Sequence, residues 1–158
     1  MFYNIYSDVS LIESGFGYYS YLILRGHYYL KQTSGPVSTH KSVIGELIAF
    51  KEAFNYLITN YDLTENDTVT FYVDNISVYR IVKKLFGNKE DNIIDEIIST
   101  YSFSIDFKDT LINIFNEKEC RKCKFKVKKL DGHSDTYTPL TLMDRVSRML
   151  LKMSKEDS

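Results

Sequence analysis

Four acidic residues lie in parts of the sequence that are otherwise apolar. Asp74 directly follows Val69-Thr70-Phe71-Tyr72-Val73, a β-branched and aromatic run that is typical of a buried strand. Glu46 falls within an apolar helical stripe, Asp8 lies near the end of a predicted strand, and Asp144 lies beside the apolar face of the last predicted helix. A carboxylate in such surroundings is costly unless something compensates it, so these acids are candidates for a functional site.

The chemistry that clustered carboxylates favour is the binding of hard divalent cations. If the first and fourth predicted strands are neighbours, Asp8 and Asp74 meet at one end of the sheet. Two carboxylates ~4 Å apart repel each other by roughly 4 kcal/mol at an effective dielectric constant near 20. Oxygen ligands of this kind suit Mg²⁺ or Mn²⁺. The sequence therefore predicts a Mg²⁺ or Mn²⁺ site.

Each acid also has an ordinary structural alternative when it is considered singly. These alternatives are a turn at Asp8, a rim ion pair between Glu46 and Lys51, a helix cap at Asp74, and a capping box between Thr141 and Asp144. The four acids together, in this order of predicted elements, favour a shared site.

Hydrophobic periodicity predicts the elements that must position these acids. Predicted strands cover residues 2–9, 18–24, 27–31, 69–73 and 124–128. Predicted helices run from a cap at Ser38 or Thr39 to Asn60, and over residues 76–86, 93–100, 107–116 and 140–153. This order predicts an α/β fold: a mixed five-stranded sheet, with three antiparallel strands and then two parallel strands, flanked by helices.

Length and composition fit one globular domain. The chain has 158 residues, of which 44% are hydrophobic and 26% are charged. We predict a single domain over residues 1–153 and a frayed tail over residues 154–158. The net charge of −1 argues against nucleic-acid binding by the whole surface, so a basic footprint must be local. Neither a signal peptide nor a membrane-spanning run is evident, so we expect a cytoplasmic monomer without membrane contact or an obligate protein partner.

A local basic footprint is present in residues 118–129, which hold seven basic residues and one acid, Glu119. We expect Lys124, Lys126 and Lys128 to contact phosphates, although lysines on an edge strand also discourage aggregation. The same segment contains Cys120 and Cys123, whose spacing is that of zinc ligands. No second cysteine pair exists to complete such a site, and a redox role has still less support because the pair does not open a helix after a first strand.

In these stretches the sequence resembles a type 1 ribonuclease H. That family has acids on the first strand, the first helix, the fourth strand and the last helix. The matching segments here are YSDVS, VIGELIAF, FYVDNISV and LMDRVSRML, which contain Asp8, Glu46, Asp74 and Asp144. The family also has a Gly-His loop shortly before the last acid, and this chain has LDGHSD with His133.

The resemblance implies a ribonuclease H-like fold and two-metal hydrolysis of the RNA strand of RNA/DNA hybrids. It makes Asp8, Glu46, Asp74 and Asp144 the ligands of two Mg²⁺ or Mn²⁺ ions. It gives His133 a role in proton movement or product release. We expect further contacts to nucleic acid at three polar residues, Ser10, Ser42 and Asn75.

The sequence departs from the family pattern at four positions near these acids. The residues concerned are Val9, where glycine is frequent, and Val43, Ile76 and Leu140, where polar residues are usual. In the family, polar residues just before the helix-one glutamate usually read the 2′-hydroxyls of RNA; here Ser42 could do so, whereas the side chain of Val43 cannot. Two alternatives therefore stay open: a DNA-directed nuclease such as a junction resolvase, and a nucleic-acid-binding module without catalysis.

Overall fold

The structure, a computed structural model, describes residues 1–130. The predicted last helix, the predicted tail, His133 and Asp144 lie outside the described residues. In chain order the elements are β1 (Phe2–Leu11), β2 (Phe16–Arg25), β3 (Tyr28–Ser38), α1 (Ser42–Asn60), β4 (Thr68–Val73), α2 (Ile76–Gly87), α3 (Asn92–Tyr101), a 3₁₀ turn (Ile105–Phe107), α4 (Lys108–Glu119) and β5 (Lys124–Lys129).

The five strands of the described region form one mixed sheet in the order β3-β2-β1-β4-β5. Strands β1, β2 and β3 pair antiparallel, whereas β4 pairs parallel with β1 on one side and with β5 on the other. The predicted fold class is therefore confirmed. Because β1 and β4 are parallel neighbours, the ends of these two strands lie at the same edge of the sheet.

An aromatic cluster between α1 and the sheet forms the centre of the core. The rings of Phe50 and Phe71 stack with their centroids 3.7 Å apart, and Phe54 packs edge-on against Phe71 at 5.8 Å. All three side chains are fully buried. The apolar stripe predicted for α1 is thus the face that packs on the sheet: the helix lies across β1 and β2, and its phenylalanine rings reach Phe71 of β4.

Several element boundaries differ from the prediction by two or three residues, and the end of β3 and the start of α1 need a physical explanation. Strand β3 continues to Ser38, seven residues beyond its predicted end at residue 31. Proline is tolerated there because β3 is an edge strand, and Gly35 lies so close to Tyr19 that a Cβ would be 2.5 Å from its hydroxyl oxygen. Helix α1 begins at Ser42 without a side-chain cap, so the predicted cap at Ser38 or Thr39 is wrong.

No helix in residues 1–130 is long and apolar enough to cross a membrane.

Candidate metal centre

Asp8 lies on β1, two residues beyond the last residue that pairs with β4. That last pair is Tyr6 with Tyr72, whose rings stack with centroids 4.7 Å apart. On the other side of β1, Asp8 lies opposite Ser20 of β2. Both residues are buried, Asp8 at 6% exposure and Ser20 at 0%. At Asp8 the backbone of β1 is therefore held in the sheet by its pairing with β2.

Asp74 immediately follows β4, and its role is separate from the capping of α2. The side-chain oxygen of Asn75 caps that helix by accepting hydrogen bonds from the backbone N–H groups of Ser77 (2.8 Å) and Val78 (3.2 Å). The structure therefore contradicts the cap alternative for Asp74. Since Asn75 ends the extended segment, Asp74 is fixed at the sheet edge between a strand and a capped helix.

Glu46 enters the same site from the first part of α1. Its residue exposure is 5%, and its Oε2 atom has no hydrogen-bond partner within the described residues. The alternative of a rim ion pair between Glu46 and Lys51 is not supported, because Lys51 pairs with Glu52 and Glu46 is buried. Burial, followed by repulsion from Asp74 and then from Asp8, raises the pKa of Glu46 to about 9.

The structure brings these three carboxyl groups together. One oxygen from each of Asp8, Glu46 and Asp74 lies within 4.8 Å of the others. Charges at that separation repel by about 3 kcal/mol per pair at an effective dielectric constant near 20. Within residues 1–130 no other group of three histidine, cysteine or acidic side chains is placed to hold an ion. The oxygen-only donors and the unpaired Glu46 Oε2 fit a hard divalent cation.

The remaining residues, which were predicted to contact nucleic acid, differ in their exposure to solvent. Ser42 is exposed at the start of α1, Ser10 is largely buried on β1, and Asn75 uses its side-chain oxygen in the cap of α2. The predicted phosphate contacts Lys124, Lys126 and Lys128 are all exposed on the edge strand β5. The roles of these residues in nucleic-acid binding stay predictions.

One basic residue of segment 118–129, Lys118, has a structural role. Lys118 is buried and donates hydrogen bonds to the carbonyl oxygens of Asn88 (2.7 Å) and Phe86 (3.5 Å), and it also pairs with Glu119. It therefore holds α4 against the end of α2. Lys118 is consequently not available to a phosphate group.

The cysteine pair takes no part in a three-ligand group within the described residues. Cys120 is exposed, whereas Cys123 is buried, and burial raises the pKa of the Cys123 thiol to about 11. Metal binding by cysteine uses the thiolate, so the zinc alternative receives no support from this arrangement.

Two residues near the three carboxyl groups, Ser20 and Gly45, were not predicted from the sequence. Ser20 is an isolated serine in a tyrosine-rich strand, and only the pairing of β1 with β2 places it opposite Asp8. Gly45 precedes Glu46 and lies against Val9, a contact between elements distant in sequence. A glycine inside a predicted helix was the available signal for a close approach.

The chain is similar to solved ribonuclease H structures. LC11-RNase H1, isolated from compost by a metagenomic approach, aligns over 96% of both chains at 15% identity and a TM-score of 0.66. RNase H1 from the halophilic archaeon Halobacterium salinarum NRC-1 aligns over 100% of both chains at 10% identity and a TM-score of 0.61.

A third match is part of a larger protein. The protease-reverse transcriptase of prototype foamy virus covers 93% of this chain, which spans 20% of the viral chain, at 13% identity and a TM-score of 0.67. No family model and no curated protein matches the sequence. The chain thus has the ribonuclease H fold, and the predicted resemblance is confirmed for the fold.

Proposed function

We propose that this protein is a metal-dependent endonuclease that hydrolyses the RNA strand of RNA/DNA hybrids. The observation that carries the proposal is the group of three carboxylates, Asp8, Glu46 and Asp74, at one edge of a ribonuclease H fold. Divalent ions bound there would supply Lewis-acid activation of water and charge stabilisation at the leaving oxygen. We propose Mg²⁺ or Mn²⁺, with two ions in the site.

The protein's own groups have distinct roles in this proposal. Asp8 and Asp74, fixed at the ends of two parallel strands, would hold the ions, and Glu46 would complete one ion's ligands from α1. Asp144 is proposed as the fourth ligand, and His133 as the group that moves a proton or assists product release. Both of these residues lie outside the described part of the chain.

Exposed lysines adjoin the site along β5. Lys128 pairs with Tyr72, two residues before Asp74, and Lys126 and Lys124 follow down the same strand. This placement supports a role in binding the phosphates of a substrate that extends away from the carboxylates. It also fits a net charge of −1, since residues 118–129 concentrate seven basic residues beside one acid.

A DNA-directed nuclease is a second candidate, favoured by Ile76. This residue is 43% exposed and lies two positions after Asp74, where its apolar side chain cannot form a hydrogen bond with a 2′-hydroxyl. Discrimination of RNA from DNA at a given position depends on such a hydrogen bond. The substrate must therefore be tested directly.

The test is cleavage of an end-labelled RNA/DNA hybrid in Mg²⁺ or Mn²⁺, beside duplex DNA, duplex RNA and a branched junction. Asp74→Asn removes a proposed ligand, and Asp62→Asn is the matched control because Asp62 is exposed and outside the site. Hybrid cleavage that is lost in Asp74→Asn and kept in Asp62→Asn supports the ribonuclease. Cleavage of DNA or the junction alone supports the second candidate, and no cleavage of any substrate leaves a binding module.

A further inference from the structure

Gly45 occupies a helical position at which glycine is unfavourable. It lies inside α1, and its backbone N–H donates to the carbonyl oxygen of Lys41 at 3.2 Å. Glycine forms helices less readily than any other residue except proline. A glycine in this position therefore points to a close approach by another part of the chain.

The group that approaches Gly45 is the side chain of Val9 on β1. A Cβ atom built on Gly45 would lie 2.7 Å from Cγ2 of Val9 and 3.2 Å from its Cβ. Carbon atoms in favourable contact are about 3.5–4.0 Å apart. Val9 cannot easily turn aside, because it is β-branched and its backbone pairs with Tyr19 of β2. A side chain at position 45 would therefore move α1 away from β1 by on the order of 1 Å.

These two residues are the chain neighbours of two of the proposed ligands. Gly45 directly precedes Glu46, and Val9 directly follows Asp8. We propose that Gly45 is a positioning residue: the missing side chain lets α1 approach β1 closely enough for Glu46 and Asp8 to share one ion. This inference rests on the proposed function in taking the three carboxylates as metal ligands.

The choice of ion gives a readout that general destabilisation would not change. Mg²⁺ requires near-octahedral geometry with oxygen ligands at about 2.0–2.1 Å, whereas Ca²⁺ accepts irregular sites with ligands at about 2.3–2.6 Å. A displacement of Glu46 on the order of 1 Å is large relative to the tolerance of Mg²⁺. Widening the gap between α1 and β1 should therefore weaken Mg²⁺ binding more than Ca²⁺ binding.

The experiment is isothermal titration of Mg²⁺ and Ca²⁺ into the full chain and four variants. Gly45→Ala introduces the Cβ, and the double variant with Val9→Ala removes both γ-carbons that it would meet. Val9→Ala alone completes the cycle. Gly87→Ala is the matched control, because Gly87 is also helical but a Cβ there has no atom within 4 Å. Circular dichroism and denaturation establish that each variant is folded.

We expect Gly45→Ala to weaken Mg²⁺ binding by about tenfold or more, as displaced metal ligands do, and to weaken Ca²⁺ binding less. The double variant should recover most of the Mg²⁺ affinity, and Gly87→Ala should bind as the wild type does. Unchanged Mg²⁺ affinity in Gly45→Ala overturns the inference alone. An equal loss for both ions without recovery in the double variant also overturns it. Absence of binding in the wild type overturns this inference and the proposed metal centre together.

Discussion

Replacing Glu46 by glutamine should stabilise the metal-free protein at neutral pH. The pKa of Glu46 is raised from 4.5 to about 9, chiefly by burial and then by the charges of Asp74 and Asp8. Between these two values the folded protein holds a proton that the unfolded chain releases. The free energy of unfolding therefore falls as the pH rises from 4.5 towards 9.

The size of the effect follows from the same two values. At about 2.5 pH units above the unfolded-state pKa of 4.5, that is at pH 7, deprotonation of Glu46 lowers the free energy of the unfolded state relative to the folded state by about 3 kcal/mol. Glutamine needs no proton, so Glu46→Gln should gain up to that amount at pH 7. At pH 5 the gain should be below about 1 kcal/mol. The buried amide loses some of this gain, because it also needs hydrogen-bond partners.

The assay is urea denaturation in EDTA at pH 5, 7 and 8, repeated in Mg²⁺. Glu52→Gln is the matched control, because Glu52 lies on the same helix but its side chain is 41% exposed and paired with Lys51. The wild type should be stabilised by Mg²⁺, since a ligand that binds the folded state raises the free energy of unfolding. Glu46→Gln should lose most of this increment, whereas Glu52→Gln should retain it.

One result would refute the reasoning about Glu46. If Glu46→Gln and the wild type have equal free energies of unfolding in EDTA at every pH, the carboxyl group of Glu46 is not protonated in the folded protein at neutral pH. A Mg²⁺ increment that survives in Glu46→Gln would separately remove this residue from the metal site.

Three further predictions concern the scaffold and the basic edge. Lys118→Ala should lower the free energy of unfolding by about 2 kcal/mol, because two main-chain carbonyl groups lose their buried donor, and denaturation measures this. The charge reversals Lys126→Glu and Lys128→Glu should weaken nucleic-acid binding and flatten its salt dependence, as measured by fluorescence anisotropy. Asp67→Asn should lower stability at pH 7 by an amount that shrinks as the pH falls below 3.8, because the hydrogen bond from the Thr64 N–H lowers the pKa of Asp67 from that value.

Each of these three predictions would be contradicted by a specific result. A loss below about 0.5 kcal/mol in Lys118→Ala would mean that water replaces the lysine at both carbonyl groups. An unchanged salt slope in the charge-reversal variants would exclude β5 from the phosphate contacts. A stability difference for Asp67→Asn that persists undiminished at pH 3 would show that the effect does not come from the charged carboxylate.

Much of the fold could be predicted because the signals are local. The run before Asp74 predicts β4, and the apolar stripe of α1 predicts the face that packs on the sheet. The extent of β3 could not be predicted in this way. Gly35 and Pro36 usually interrupt strands, and they are tolerated here only because β3 lies at the sheet edge and Gly35 faces Tyr19.

The residues of the candidate site also differ in whether local sequence signals could predict them. Acids on apolar surfaces are visible in a sequence, so Asp8, Glu46 and Asp74 could be selected before any geometry was known. A glycine inside α1 indicates a close approach, but its partner Val9 lies on a strand 36 residues away, and only the crossing of helix and strand identifies it.

Stability and function come from different parts of the same two strands. Where β1 and β4 pair, the aromatic rings of α1 cover them and burial stabilises the fold. Beyond Tyr6 and Tyr72 the pairing of the two strands stops, and two residues further along the chain from each tyrosine stand Asp8 and Asp74, whose charges repel that of Glu46. Without a cation the repulsion among these groups opposes folding, and the proposed cation would reverse this effect. Removing a core aromatic ring and removing a site carboxylate must then change stability in opposite directions in EDTA, which separates the scaffold from the site it holds.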